Sequence, residues 1–434
     1  MTIDEEKLKI FIMKFDHPRW SYTTNIYEVN IRQYTVEGTL AAFKKHLPRL
    51  KDMGIETLWF MPTTPISLAG RKGSLGSYYA VQNYLAVNPE FGTAKNFIEV
   101  VKEAHRLGFK VIIDWVANHT GNDNVWIEQH PDFFCYDEEK KIIHPHGWED
   151  VSKLNFDNDD MQLAMIEAMK FWITEFNIDG FRCDMAHLVP LDFWKKAKTA
   201  IQQTKPDLFW LAECEEANYH EVFDATYTWK WMHATEEFYK EKIEINDLKE
   251  ILIEYDQSFS AEAFRAYFTS NHDENSWNGT EYEKYGEAAK AFAVLSCTWN
   301  GIPLIYSGQE LPNTKRLQFF DKDNIEWADT CALHNFYKTL LTLRKTNAAL
   351  RAADENVVTH LIKTDNDRLV CFLRKNQGDE ILVVLNLSAE KIVCKLLTEV
   401  FTGKFIDVFD KNEIDLSSQK IIDLQPWDYK VYEK

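Results

Sequence analysis

The segment GFRCDMAH, residues 180–187, places an arginine and an aspartate in a run that is otherwise typical of a buried strand. Successive side chains of a strand point to opposite faces, so Arg182 and Asp184 share one face, while Phe181 and Cys183 share the other. A guanidinium beside a carboxylate favours the ionised form of that carboxylate at neutral pH. The segment therefore predicts an interior carboxylate that is held ionised and able to act as a nucleophile.

Three further acidic residues lie in or near the ends of other predicted strands. Glu213 ends a strand one βα unit after Asp184, Asp273 closely follows a strand two units later, and Asp114 lies in an earlier strand. One such residue alone commonly caps the next helix. Several at matched strand ends predict a shared cleft. Two carboxyl groups facing one cleft are the apparatus of glycoside hydrolysis, in which one protonates the leaving oxygen and the other attacks the sugar carbon.

A repeated pattern of helix, glycine and buried strand predicts the elements that position these residues. One helical apolar pattern ends at Gly54 and the next ends at Gly108, each just before a strand. The strand candidates are IYEVNI (26–31), ETLWFMP (56–62), KVIIDWV (110–116), GFRCDM (180–185), LFWLAEC (208–214), FDATYT (223–228), AYFTSN (266–271) and IPLIYSG (302–308). This alternation predicts an α/β fold, a closed (β/α)8 TIM barrel, and no GxGxxG motif supports an open, doubly wound sheet.

Two other parts accompany the predicted barrel, which comprises residues 1–118 and 159–354. Residues 119–158, between the third strand and the next helix, are a polar and aromatic insertion, which we interpret as a wall of the site. From residue 355 the sequence changes to short apolar runs separated by DND and NQGD turns. This pattern predicts a C-terminal antiparallel β domain over residues 355–434.

Composition argues against some classes of partner. The 434 residues carry a formal net charge of −19, which disfavours nucleic acid and anionic membranes because both need a cationic surface. No stretch of about 18 uncharged apolar residues is present to cross a membrane. The 14 Trp, 18 Tyr and 28 Phe are consistent with a neutral carbohydrate substrate, although core packing also uses aromatic residues. The sequence does not give the oligomeric state.

Cysteine usage and the N-terminal residues favour a cytoplasmic location. The seven cysteines are odd in number and show no CxxC spacing, which is typical of reduced thiols. The first residues, MTIDEEKLKIFIMKF, are acidic at their start and lack an uninterrupted apolar h-region, so no secretory signal is predicted. A secreted chain trimmed of its signal peptide would look the same.

The order of these motifs resembles the four sequence regions of the α-amylase family, glycoside hydrolase family 13. The segments that carry the resemblance are DWVANHT (114–120), GFRCDMAH (180–187), AECEE (212–216) and SNHDEN (270–275), with GSYYAVQNYLAVNPEFGT (76–93), KLNFDN (153–158) and IYSGQE (305–310) in support. One region alone would be a modest signal, but the ordered set is specific and covers most of the barrel. The resemblance implies an inserted B domain after the third strand, a β C-domain and a retaining mechanism through a covalent glycosyl-enzyme.

The resemblance also implies roles for individual residues. Asp184 would be the nucleophile, Glu213 the general acid/base and Asp273 the transition-state stabiliser. The substrate-binding positions would be Tyr79, Asp114, His119, Arg182, His187 and His272. Of these, Tyr79 would stack on the sugar in subsite −1, His119 and His272 would bind its hydroxyls, Arg182 would orient the nucleophile, and Asp114 is usually structural within the same network.

Two departures from the family pattern concern calcium and the residues after the nucleophile. Asn118 matches a ligand of calcium-bound amylases, but this chain has Asn155 where a partner aspartate is expected. Because calcium favours anionic oxygen, we expect that no cofactor is required. The usual Lys-His pair after the nucleophile is His187-Leu188 here. The insertion also lacks the QPDLN signature of many exo-acting α-glucosidases, which favours an open, amylase-like cleft.

Several functions remain compatible with these motifs. The leading prediction is an α-amylase-type hydrolase that cleaves α-1,4 bonds in maltooligosaccharides or starch-like glucans. The alternative is an α-glucan transglycosylase or an exo-acting α-glucosidase of the same family, because the same triad serves all of them. A catalytically silent homologue would be free to lose Asp184, Glu213 and Asp273, which this chain keeps.

Two remaining features each have two interpretations. The HPH segment at residues 144–146 raises the possibility of a metal-dependent barrel hydrolase, but it lies in the insertion and a surface turn is the simpler interpretation. Trp126, Trp148 and Trp277 lie in loops near the predicted site, where they would be either sugar platforms or parts of local loop cores.

Overall fold

The structure of the protein is a computed structural model that describes residues 15–417 and 420–434 of the 434-residue chain. The start of the predicted range 1–118, on which the prediction of no secretory signal depends, lies outside the described residues. Residues 418 and 419 of the predicted C-terminal domain also lie outside them. None of the described helices is long and apolar enough to cross a membrane.

Eight parallel strands close into a barrel, which confirms the predicted (β/α)8 fold. In chain order these barrel strands, one to eight, are Ile26–Val29, Thr57–Phe60, Lys110–Trp115, Gly180–Cys183, Phe209–Ala212, Ala225–Tyr227, Phe264–Tyr267 and Ile302–Tyr306. The eighth strand pairs with the first, with Ile26 opposite Leu304, and this pairing closes the barrel. The strands are buried on both faces because helices cover the outside and side chains fill the inside.

Helices cover the barrel and alternate with its strands along the chain. The described α-helices are Ile31–Tyr34, Leu40–Phe43, Leu47–Met53, Ala94–Arg106, Val125–Gln129, Asp159–Phe176, Leu191–Gln202, Trp229–Tyr239, Ile245–Ser258, Glu281–Tyr285, Ala289–Thr298 and His334–Thr346. Local sequence sets several of their ends. Thr93 and Asn96 form a reciprocal capping box at the start of Ala94–Arg106, and Gly54 ends Leu47–Met53 in a left-handed conformation with φ 94°.

The chain leaves the barrel after the third strand and returns at the helix Asp159–Phe176. In this excursion the short strands His119–Gly121 and Val151–Lys153 pair antiparallel, which holds the segment above the C-terminal ends of the barrel strands. An isolated bridge between Phe134 and Leu154 ties the middle of the excursion to the second of these strands. The predicted limits of this inserted domain, 119 and 158, stay predictions.

The chain ends in antiparallel sheets, which confirms the predicted β architecture of the C-terminal part. A six-stranded sheet has the spatial order Val358–Leu361, Leu369–Asn376, Asp379–Asn386, Tyr429–Glu433, Lys404–Asp407 and Glu413–Asp415, and a second sheet pairs Ile392–Lys395 with Ile421–Leu424. Arg374, fully buried, donates to the carbonyl oxygens of Trp299 and Arg351, both at 2.9 Å. These bonds fix the sheet to the side of the barrel away from the C-terminal ends of its strands.

Candidate active site

Arg182, at the centre of the site, explains why a cation stands in a buried strand. The fourth strand aims its side chain into the barrel, where it is fully buried, while Phe181 and Cys183 pack in the surrounding core. Its Nη1 donates to Asp114 Oδ1 at 2.9 Å and to Asp184 Oδ1 at 3.1 Å. The structure therefore places Arg182 on the interior face of the strand and Phe181 and Cys183 on the other face, as the alternation of side chains predicted.

Glu213, at the end of the fifth strand, meets the same guanidinium. Its Oε2 lies 2.9 Å from Arg182 Nη2, an ion pair that lacks the alignment of a hydrogen bond. The same oxygen accepts a hydrogen bond from the backbone N of Met185 at 2.8 Å. Met185 directly follows Asp184 and has φ 41°, a strained conformation for a residue with a side chain. The carboxyl groups of Asp184 and Glu213 are thus held close together. Neighbouring nitrogens of Arg182 contact both of them, and the backbone N of Met185 also binds Glu213.

The carboxyl groups outnumber the cations that face them. Burial and the Glu213 carboxylate raise the pKa of Asp184 well above its ordinary value, and Arg182 opposes this shift without reversing it. Burial likewise raises the pKa of Asp114 to about 6 against the effect of Arg182. Arg182 therefore favours the ionised form of Asp184, as expected from the sequence, while burial and Glu213 act in the opposite direction.

Asp273 and His272 follow the seventh strand, and Asp273 lines the cavity while His272 lies behind it. Tyr79 OH lies 2.6 Å from His272 Nε2 and donates to Asp114 Oδ2 at 3.2 Å, and His272 Nε2 lies 3.3 Å from Asp273 Oδ2. The other ring nitrogen, Nδ1, donates to Glu28 Oε1 at 2.5 Å. Burial alone would lower the pKa of His272, but the carboxylates of Asp273 and Glu28 raise it to about 9. His272 is therefore an imidazolium at neutral pH, and its Nε2–H donates to Tyr79.

Glu28 was not singled out from the sequence, although a signal was present. It lies in the first strand, in IYEV, where a charged residue interrupts a buried run as Arg182 does in GFRC. Its side chain is fully buried, and its second oxygen, Oε2, has no hydrogen-bond partner among the described residues. Burial raises the pKa of Glu28, while His272 lowers it.

His119 begins the short strand after the third barrel strand and is nearly fully buried. Burial lowers the pKa of His119 to about 4, so the ring is neutral at pH 7. Asn118 Nδ2 donates to its Nδ1 at 3.1 Å, which leaves the ring proton on Nε2. A neutral imidazole with Nε2–H available is suited to donating a hydrogen bond to a sugar hydroxyl.

A cavity of about 370 Å³ brings five of the sequence-predicted residues together. These are Tyr79, His119, Asp184, Glu213 and Asp273. Asp114, Arg182 and His272 do not line it and act through the residues that do. The sequence analysis missed several other lining residues, including Lys72, Asp150, Phe319 and Phe320, which lie in loops with no strand periodicity.

A second cavity, also about 370 Å³, adjoins the first. His187 is exposed and lines this second cavity with Trp229 and His233, so the structure separates it from Asp184. Only Met185 and Glu213 line both cavities. Glu213 therefore stands where the two spaces meet.

The three loop tryptophans differ in position. Trp126 is buried and packs on Tyr84 and Phe133, so it belongs to the core of the excursion. Trp148 and Trp277 line the first cavity. Trp277 is 52% exposed and lies against Phe319, which in turn stacks on Tyr79. These aromatic rings form a continuous path from the carboxyl groups to the surface.

Asn118 and Asn155, the positions that the resemblance connects with calcium, both carry neutral amides. Asn118 Nδ2 donates to His119 Nδ1 at 3.1 Å, and Asn155 Oδ1 accepts from the backbone N of Asp157 at 3.1 Å. His144 of the HPH segment lies with Nδ1 2.7 Å from the Val151 carbonyl oxygen. Within residues 15–417 and 420–434, no three His, Cys, Asp or Glu side chains are grouped to hold a metal ion. Because calcium favours anionic oxygen, two neutral amides are a poor donor set for it.

Comparison with known proteins gives one family for most of the chain. The family profile described as "Alpha amylase, catalytic domain" matches residues 15–150 and 133–328, and "Maltogenic Amylase, C-terminal domain" matches residues 359–431. The crystal structure of the maltogenic α-amylase AmyB from Thermotoga neapolitana is 28% identical, with a TM-score of 0.87 over 95% of this chain and 98% of that one.

Two curated relatives cover similar shares of the chain. A cyclomaltodextrinase from Thermoanaerobacter pseudethanolicus is 26% identical over 90% of this chain and 70% of its own length. An α-1,4-glucan:maltose-1-phosphate maltosyltransferase from Corynebacterium pseudotuberculosis is 26% identical over 92% of this chain and 63% of its own length. The similarity therefore extends to proteins named as hydrolases and as transferases.

Proposed function

This chain belongs to the α-amylase family, and we propose that it is a retaining glycoside hydrolase that cleaves α-1,4-glucosidic bonds in maltooligosaccharides or starch-like glucans. The observation that carries the proposal is the contact of one buried guanidinium, that of Arg182, with both Asp184 and Glu213 at the edge of one cavity. Retaining enzymes hold their two carboxyl groups about 5–5.5 Å apart, whereas inverting enzymes leave about 6.5–9.5 Å for a water. Adjacent nitrogens of one guanidinium favour the shorter separation.

In the first step, the roles follow from position. An oxygen of Asp184 attacks the anomeric carbon as the glycosidic bond breaks, and the leaving oxygen takes a proton from Glu213. Glu213 lies where the two cavities meet, so it reaches an oxygen shared by a sugar in one cavity and a leaving group in the other.

In the second step, Glu213 acts as a base. Its carboxylate takes a proton from water while the water oxygen attacks the anomeric carbon, and the bond to Asp184 breaks. Two displacements at the same carbon retain its configuration. Arg182 faces the Asp184 carboxylate when it is released and stabilises its negative charge.

The remaining residues would bind and stabilise the sugar. Asp273 lies in the cavity wall with a partly exposed carboxylate that can face the positive charge developing on the ring. The neutral ring of His119 would donate to a hydroxyl, and the Tyr79 ring offers a flat apolar face for stacking. His272 and Asp114 hold Tyr79 through hydrogen bonds at its hydroxyl.

We also propose that the enzyme works in the cytoplasm. Seven cysteines among the described residues are free thiols, which suits a reducing compartment. Cell fractionation with an antibody against the chain would test this location.

The proposed function is tested by trapping the intermediate. A 5-fluoro α-glucosyl fluoride should label the protein, and peptide mass spectrometry should place the label on Asp184. Asp184→Asn should lose at least about 10⁴-fold of the activity on maltoheptaose, because the nucleophile is gone. A label on another residue would refute the assignment. Accumulation of products longer than maltoheptaose would favour the transglycosylase alternative.

A further inference from the structure

The two cavities assign a direction to the bound glucan, if the proposed function holds. An acid that protonates the leaving oxygen must stand between the sugar that is attacked and the leaving group. Glu213 is in this position, and Asp184, Tyr79 and His119 line only the first cavity. The first cavity therefore holds the donor part of the substrate, and the second holds the acceptor part.

A loop after the second barrel strand bridges the two walls of the donor cavity. On one side, Leu75 N donates to the Phe320 carbonyl at 2.9 Å, and the backbone N of Ser74 donates to Asp321 Oδ1 at 2.8 Å. On the other side, Lys72 Nζ lies 2.7 Å from Oδ1 of Asp150, which belongs to the insertion. The residue 70–77 segment thus joins the insertion to the loop after the eighth strand.

Lys72 and Asp150 both line the donor cavity, and neither lines the acceptor cavity. The Asp150 side chain is 7% exposed and that of Lys72 is 42% exposed. The ammonium has three donors, of which one faces Asp150, so others are available to a ligand. This arrangement presents a charged pair to a sugar bound in the donor cavity, and charge-assisted hydrogen bonds to its hydroxyls are stronger than neutral ones.

We propose that the Lys72–Asp150 ion pair closes the donor site between the residue 70–77 segment and the insertion, binds the non-reducing end of the glucan and restricts cleavage to release of a short saccharide. This inference rests on the proposed function. The donor cavity of about 370 Å³ is near the lower limit of small-molecule sites, about 300–1,000 Å³, and so fits one or two sugar residues.

The test compares the first products from maltoheptaose. Wild-type enzyme should release mainly glucose and maltose at early times, as measured by chromatography. Lys72→Met, Asp150→Asn and the double variant should raise the ratio of longer products to these two by roughly tenfold, since a hydrogen bond from a charged group is lost. Lys72→Arg keeps the cation and should keep the wild-type distribution.

Lys141→Met is the matched control, because Lys141 pairs with Glu139 at 2.8 Å in the same insertion but outside both cavities. It should leave the products unchanged. If Lys72→Met does not fold because Asp150 is left unpaired, the double variant leaves no such charge and carries the same expectation.

The outcomes separate the inference from the proposed function. An active wild type whose product distribution matches that of the double variant would overturn the inference alone. A wild type that releases long saccharides from the start would also overturn it. A wild type without activity on any maltooligosaccharide would overturn both.

Discussion

The fourth barrel strand, Gly180–Cys183, has an aspartate at each end, and the two differ in chemistry. Asp179 precedes the strand at the N-terminal end of the barrel, and Asp184 follows it at the C-terminal end. Both are buried. They therefore share a strand and a degree of burial, and they differ in the charges around them.

Asp179 is one carboxylate among several cations. His105 Nε2 lies at 2.6 Å, Lys205 Nζ at 3.2 Å and Lys110 Nζ at 3.3 Å. Burial alone would raise its pKa, but the hydrogen bond from His105 and the charges of the lysines lower the pKa of Asp179 to about 2. This carboxylate is ionised at neutral pH and forms ion pairs with side chains from neighbouring elements of the barrel.

At the C-terminal end of the strand, around Asp184, carboxyl groups outnumber cations. One guanidinium, Arg182, faces the carboxyl groups of Asp114, Asp184 and Glu213. The pKa of Asp184 is raised by burial and by Glu213. The cations around Asp179 favour its ionised form, whereas burial and the Glu213 carboxylate disfavour the ionised form of Asp184. This difference distinguishes a structural aspartate from a catalytic one.

After loss of the nucleophile itself, the largest expected effect is at Glu213. Glu213→Gln keeps the shape and can still donate a hydrogen bond, but it has no proton to transfer. General acid catalysis is worth about 10² to 10⁴ in rate, so cleavage of maltoheptaose should fall by that factor. An α-maltosyl fluoride needs little acid help and should still glycosylate Asp184. Added azide should then release an α-glycosyl azide.

Two results would contradict this assignment of roles. Equal loss of activity on the fluoride and on maltoheptaose would make Glu213 a binding residue. A β-configured azide would show that no covalent intermediate precedes the attack.

The next effect tests whether Glu28 keeps His272 charged. The pKa of His272 is raised to about 9 with Glu28 present, so the imidazolium is lost only as the pH rises through that value. Glu28→Gln removes the negative charge, and the alkaline limb of the kcat/KM profile should move to lower pH. Activity should fall by about tenfold near pH 8 and approach the wild-type value near pH 6.

The control for this profile is Asp52→Asn. Asp52 pairs with His334 at 2.7 Å on the surface, outside the two active-site cavities, and its loss should leave the profile unchanged. A uniform loss of activity in Glu28→Gln at every pH would mean that Glu28 supports the fold and not the charge of His272.

A smaller effect, on stability alone, is expected at Asp179. Its pKa of about 2 is below the ordinary value of 3.8, so its stabilising contribution is complete above about pH 4 and is lost as the pH falls towards 2. Asp179→Asn should lower the free energy of unfolding by about 2 kcal/mol at pH 7 and by less near pH 3. Urea unfolding measures this difference, and the exposed Asp192→Asn is the control.

The activity of Asp179→Asn tests whether Asp179, unlike Asp184, has no role in catalysis. Folded Asp179→Asn should have wild-type kcat and KM for maltoheptaose. A loss of kcat without a loss of stability would show that the two ends of the strand are not separate in function.

Sequence alone predicted the parts of the site that follow from strand periodicity. Alternation placed Arg182 and Asp184 on one face, and matched strand ends brought Glu213 and Asp273 to one rim. The signal at Glu28 was of the same kind, but its partner His272 is 244 positions away, and only barrel closure brings the two together. Periodicity could have raised Glu28 as a candidate without identifying its partner.

Strand periodicity does not predict the conformation of the loops. Lys72 and Asp150 lie in segments without periodicity, and their contact depends on how two loops fold over the rim. His187 was placed with the substrate-binding residues, which stays a prediction, and the sequence did not show that the turn Ala186–Leu188 directs it to the second cavity. The direction of the pKa shift at Asp184 also required the structure, because burial and Glu213 outweigh the neighbouring Arg182.

The smallest effect is expected from chelation of metal ions. This test shows whether Arg182 or a bound metal ion compensates the negative charge of the carboxyl groups in the active site. Arg182 is covalently part of the chain and contacts three carboxyl groups, so dialysis cannot remove it. The neutral amides of Asn118 and Asn155 offer no anionic oxygen to calcium. Overnight dialysis against EDTA should therefore leave the activity on maltoheptaose and the thermal midpoint unchanged. Loss of activity restored by calcium would show that the Asn118 region binds calcium after all, and restoration only by a transition metal would favour a metal-dependent hydrolase.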